Sequence, residues 1–198
     1  MSEKWSGPVY LCLLLLTVCI MTFPGIAEAA PGSGTAVIAP LSDVVAGSAG
    51  KWAITYTAAE DFSSGSIQLL IPSGWSVPQI GSGLSAGYVT AISEGTLDAT
   101  PLSVVGRNIR VNIDTLSTGE TVTIVYGDDS VSPAGNATAQ TAKEDGVIFA
   151  VSSDPAGTSV SAIAVSPTLD VIAALVERLV FLTPPRTFKA DGESGVMR

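Results

Sequence analysis

The 198-residue chain has no histidine, and its two cysteines, Cys12 and Cys19, both fall within the first twenty residues. Without histidine the commonest general base and the commonest transition-metal ligand are gone. Ser–His and Cys–His catalysis are thereby excluded in this chain, as are histidine-based zinc sites. Beyond residue 29 there is no thiol at all, so no disulfide braces that part and an apolar core must hold it. Positive charge is also scarce, with nine Lys and Arg against 18 Asp and Glu and a formal net charge of −9. Nucleic acid and anionic lipid surfaces both select cationic faces, so neither is an expected partner. Three Trp, four Tyr and five Phe are too few to suggest a long row of stacking rings.

What the chain does have is apolar and turn-rich. Hydrophobic residues make up 46% against 14% charged, which argues for a packed core and against a disordered tail. Twenty glycines and twelve prolines supply turns, and the many Val, Ile and Thr residues suit a pleated surface. The length fits one sizeable domain with a short remainder.

Residues 1–29 read as a secretory signal peptide. Lys4 sits in a short polar start, Val9 to Phe23 is apolar, and Pro24-Gly25 breaks any helix. Ala27-Glu28-Ala29 then offers small residues where a signal peptidase reads, which places cleavage after Ala29. An uncleaved anchor is the competing reading, but an apolar run of roughly 15 residues falls short of the ~20 that span hydrocarbon. Cys19 follows Val18, which disfavours a lipoprotein signal. The expected location is therefore secreted or at the cell envelope surface, with no membrane contact apart from the signal.

From Thr35 onward the pattern is short strands between turns. Ile109, Val111 and Ile113 alternate with Asn108, Arg110 and Asn112, and Val122, Ile124 and Tyr126 alternate with Thr121 and Thr123. Trp52, Ile54 and Tyr56 do the same against Ala53, Thr55 and Thr57. This two-residue period marks strands buried on one face. Ile67, Leu69 and Ile71 form a weaker set, because Leu70 is apolar as well; Val147, Phe149 and Val151 form another, and Ile163 with Val165 a further one. Short connections leave no room for crossover helices, so antiparallel pairing is expected. The Gly- and Ser-rich stretch 76–100 reads as an extra hairpin or long loop, with Tyr88 to Ile92 a weak strand. The expected fold is all-β, an antiparallel immunoglobulin-like β-sandwich over 30–171. Residues 172–198 read as a linker and the truncated start of a second such domain.

Two stretches carry a family resemblance. Ile71-Pro72-Ser73-Gly74-Trp75-Ser76-Val77-Pro78-Gln79 with Gly87-Tyr88-Val89-Thr90, together with Ile113-Asp114-Thr115-Leu116-Ser117-Thr118-Gly119-Glu120-Thr121 and the strand after it, resembles Ig-like and fibronectin-III-like repeats of bacterial surface or secreted proteins. Leu179-Val180-Phe181-Leu182-Thr183-Pro184-Pro185-Arg186-Thr187-Phe188 resembles the opening of an invasin-type Ig-like repeat. The resemblance implies a non-catalytic structural or adhesion module of a larger exported bacterial protein, whose partners are its neighbouring domains and another protein or a glycan. A carbohydrate-binding accessory module of a secreted enzyme is the alternative. Fold-level likeness limits function only loosely.

Trp75, in a turn at a strand end, and Tyr88 are the candidate ligand contacts. For Trp75 the preferred reading is a plug folded into the end of the sandwich. Asp128-Asp129-Ser130 and Glu144-Asp145 lie on loops where carboxylates could gather around calcium, and Glu60-Asp61 is a weaker pair. None matches a known calcium-loop pattern, and solvated acidic turns are the simpler reading, so no metal or other cofactor is assigned. No catalytic residue is assigned either. Asn136-Ala137-Thr138 fits the glycosylation triplet, which arises often by chance.

Overall fold

A computed structural model of the chain describes residues 32–174. The segment read as a signal peptide, and the second-domain start beyond residue 174, lie outside the described residues. Fourteen strands follow one another. They are β1 (Thr35–Ala39), β2 (Val44–Val45), β3 (Ala49–Gly50), β4 (Trp52–Thr57), β5 (Phe62–Leu70), β6 (Val89–Ser93) and β7 (Thr96–Val105). After them come β8 (Asn108–Leu116), β9 (Thr121–Tyr126), β10 (Ala137–Thr138), β11 (Glu144–Ile148), β12 (Ala150–Asp154), β13 (Ser161–Ala162) and β14 (Thr168–Ile172). One short 3-10 turn, Pro133–Gly135, is the sole helical element among the described residues.

Two sheets carry the fold: a four-stranded one in the order β1-β4-β9-β6 and a five-stranded one in the order β13-β12-β5-β8-β7. Their inward residues merge into one core, as alternation requires of a β-sandwich. Ile54, Tyr56, Val122 and Ile124 enter it from the first sheet, and Ile67, Leu69, Ile109 and Val111 from the second; each is at most 1% exposed. Leu70 points the other way and is half exposed, which is why its apolar character blurred the pattern of β5 without adding to the core.

Three local expectations change. Val89–Ser93 is a full member of the four-stranded sheet, paired along its length with β9. Ser76 to Tyr88 before it is the expected long loop, and a hairpin, β7–β8, follows with its turn at Gly106-Arg107. Ile163 is buried but Val165 is largely exposed, so these two do not form one strand face; the strand there is only Ser161–Ala162. Finally, pairing is not wholly antiparallel. β14 runs parallel to β2, with Val171 opposite Val44 and Ile172 opposite Val45. These two strands are far apart in sequence, so no short connection constrains their relative direction.

Two ends of the sandwich are tied by specific bonds. At one, the Tyr56 hydroxyl and the Ser153 hydroxyl both donate to the Ser33 carbonyl, each at 2.8 Å. At the other, the Arg107 guanidinium donates to the carbonyls of Ile71, Pro72 and Trp75 and so fixes the turn after β5. The Tyr126 hydroxyl holds the next residue through Ser76 O at 2.5 Å. Neutral carbonyls met by a guanidinium make charge-assisted bonds, stronger than ordinary ones.

Candidate functional site

The outward side chains of the four-stranded sheet form registered rows. One row runs Val37, Thr55, Thr123, Ile92 across β1, β4, β9 and β6. The next runs Ala39, Ala53, Val125, Thr90. Because two members of that second row are alanines, the sheet surface is low there, and Ile92, 68% exposed, stands above it. The result is an open depression of about 670 Å³, floored by Ala39, Ala53 and Val125 and bounded by Pro40 and Ile92. Its volume lies within the range of sites that hold small ligands.

One end of the depression is charged. Lys51, just before β4, forms an ion pair with Asp129 at 2.6 Å. Beside it the Thr90 hydroxyl donates to Asp128 at 2.6 Å, and the Ser130 N–H donates to the other carboxylate oxygen at 2.9 Å. Burial works against ionisation of Asp128, but the bonds from Thr90 and Ser130 and the nearby Lys51 ammonium outweigh it and hold the carboxyl below its ordinary range. The Asp129 carboxylate, by hydrogen bond and then by charge, raises the Lys51 pKa. Both groups therefore stay charged through the physiological range. One ammonium against two carboxylates leaves this end net negative.

Backbone geometry sets that end in place. Gly127 has φ of +80°, and a Cβ there would lie 2.5 Å from both the Gly50 carbonyl oxygen and the Ala137 nitrogen. Only glycine meets both demands. The N–H groups of Gly127 and Asp128 both donate to the Tyr88 carbonyl, at 2.8 and 2.9 Å.

The residues singled out in the sequence end up in different places. Trp75 is 3% exposed. It packs edge-on against Trp52 and Phe149, and its indole N–H donates to Gln140 at 3.2 Å. The ring is thus enclosed in the core, the position the plug reading gives it. Tyr88 is part-exposed, and it bonds its neighbours through its backbone N–H and carbonyl. It positions Asp128 without joining Trp75 in a shared surface.

The carboxylates of the other acidic loops are engaged locally. Glu144 accepts from Gln140, Asp145 faces Lys143 at 3.6 Å, and Asp61 caps a turn by accepting from Thr118 N–H and hydroxyl. Among the described residues no group of three such ligands is placed to hold a metal ion. The Asn136 triplet is also poorly presented, since its Oδ1 is buried and Ala137 is fully enclosed.

Sequence reasoning missed the depression. Outward positions of β4 and β9 were readable from alternation, but that Ala53 and Val125 share a row with Ala39 and Thr90 was not. The arrangement offers an apolar floor for a hydrophobic body and a fixed anionic rim for a donor or cation. No family model matches this chain, and no curated protein matches it at a significant level.

Proposed function

We propose that this chain is a non-catalytic structural or adhesion module of a larger exported bacterial protein, displayed at or beyond the cell surface. The observation that carries the reading is the division of labour between the two sides of the first sheet. The large aromatics are spent on a rigid interior, and the outer face is left open and low, with an apolar floor and one charged end, as a contact surface for a neighbouring domain or partner. The signal-like segment 1–29 supports export.

An immunoglobulin-like topology is supported by the order β1-β4-β9-β6, which parallels the A-B-E-D sheet of that fold. The β7–β8 hairpin, inserted between the third and fourth members of that sheet in sequence and pairing with β5, is an addition to it. A carbohydrate-binding accessory module has less support, because Trp75 is enclosed and, among the described aromatic residues, Tyr88 alone keeps partial exposure.

The test is expression of the full chain in a bacterial host, followed by fractionation and N-terminal sequencing. Recovery outside the cytoplasm with Ala30 as the first residue is expected. Retention in the cytoplasm with Met1 intact overturns the export reading.

A further inference from the structure

We propose that β1 is a strand-addition edge, and that its partner is an extended segment of another protein carrying alternating β-branched and cationic side chains. This deepens the interaction-module reading and rests on it.

An unpaired strand edge recruits other strands unless it is short, charged, bulged or covered. β2, β3, β10 and β13 are each two residues long. β7 carries Asp98 and Pro101 and breaks register twice. β11 carries Glu144 and Asp145 and also breaks register. β6 is covered where it starts, since Val89 N–H donates to Gln79 O at 2.9 Å, and it leads directly through Glu94-Gly95 into β7.

Among the described residues, β1 has none of these protections. Its five residues, Thr-Ala-Val-Ile-Ala, contain no charge, no proline and no register break, and among the described residues it pairs only with β4. Val37, at its centre, is 62% exposed. The depression lies at its Ala39 end.

Two observations select the occupant. A five-residue edge is about 17 Å long, and so narrow a strip covers far less than the ~800 Å² per partner that stable rigid interfaces bury. A second copy would also bring like charge: residues 32–174 hold thirteen carboxylates and four cations. A flexible cationic chain avoids both penalties. It gains main-chain bonds along β1, continues past Ala39 toward the depression, and is drawn by the net negative field.

The test uses the full-length protein, 15N-labelled, and the synthetic peptide acetyl-KVTVKVTVK-amide. Peptide-induced amide shifts and slowed amide exchange are expected along Thr35 to Ala39. Binding is expected to weaken at least tenfold for Val37→Lys, and equally for a peptide N-methylated at alternate residues, a control that leaves the protein unaltered. Shifts centred on β6 or β7, no shifts at all, or equal binding of the N-methylated peptide overturn the proposal. Concentration-dependent self-association that protects the same amides without peptide assigns the edge to a second copy, and outward β1 amides already protected in the peptide-free monomer assign it to the chain itself; either also overturns it. The export reading is judged separately, by the secreted N-terminus.

Discussion

Trp75 meets Trp52 edge-on, with ring centroids 4.7 Å apart and planes at 80°. Phe149 meets Trp75 from another side in the same manner, at 5.0 Å and 81°. An edge-to-face pair sets the positive rim of one ring against the negative face of the other, adding to the gain from burial. Three residues far apart in sequence thus close one region of a core that has no disulfide within it.

Trp75→Ala should destabilise the fold by about 3–5 kcal/mol, the usual cost of a large aromatic cavity. Trp75→Phe should cost less, but leaves the Gln140 carbonyl without its indole donor. Urea titrations measure both. A Trp75→Ala protein of unchanged midpoint would show that the ring carries no packing load.

Stability should fall as the solution becomes strongly alkaline. Burial, the dominant influence, raises the pKa of Tyr126 and of Tyr56 above the ordinary 10.0. The folded state therefore holds these protons more tightly than the unfolded chain. Their contribution is complete below pH 10 and is lost as pH rises toward the raised folded values. Tyr126→Phe should lower stability at neutral pH by roughly 0.5–1.5 kcal/mol through loss of the Ser76 bond. It should also flatten the alkaline decline, which melting curves across that range will register.

The acid limb has the opposite sign. Asp128 and Asp61 are held below their ordinary value of 3.8. For Asp128 burial opposes this and hydrogen bonds win; for Asp61 the two Thr118 bonds dominate. Their stabilisation is present above that value and disappears as pH drops through the lower folded pKa. Asp128→Asn should make the loss of stability in acid shallower, and an unchanged acid profile would count against the described contacts.

Gly127 and Gly119 form a matched pair. Both have positive φ, +80° and +88°, but a Cβ at Gly119 meets nothing within 4 Å, whereas at Gly127 it strikes two backbone atoms. Gly119→Ala should cost only backbone strain, of order 1 kcal/mol. Gly127→Ala should cost more and should shift the amide signals of Lys51, Asp128 and Ser130. Equal thermal midpoints for the two variants would disprove the steric account.

Much of the strand pattern was readable in advance. Ile109, Val111 and Ile113 gave up their face because alternation is local: successive side chains of any extended segment point to opposite sides. Trp52 and Tyr56 were assigned to the core on the same ground, and both are buried. Thr96–Val105 was not foreseen as a strand. Its outward face is mixed, its register with β8 is broken, and Pro101 interrupts it, so no clean two-residue period survives. The depression was invisible for a different reason: no single segment contains it.

The amino-acid order alone determined that residues 32–174 are all-β, which side chains of their regular strands turn inward, and that neither histidine chemistry nor a disulfide beyond residue 29 is available to the chain. Those properties depend on composition and on neighbours one or two positions away. Only the tertiary structure decided that Ala39, Ala53, Val125 and Thr90 stand in one row, that β2 and β14 run parallel, and that among the described residues β1 pairs with β4 alone. Strand partnership is settled by the total burial of contacts between distant segments, and that sum exists only once the two sheets have closed.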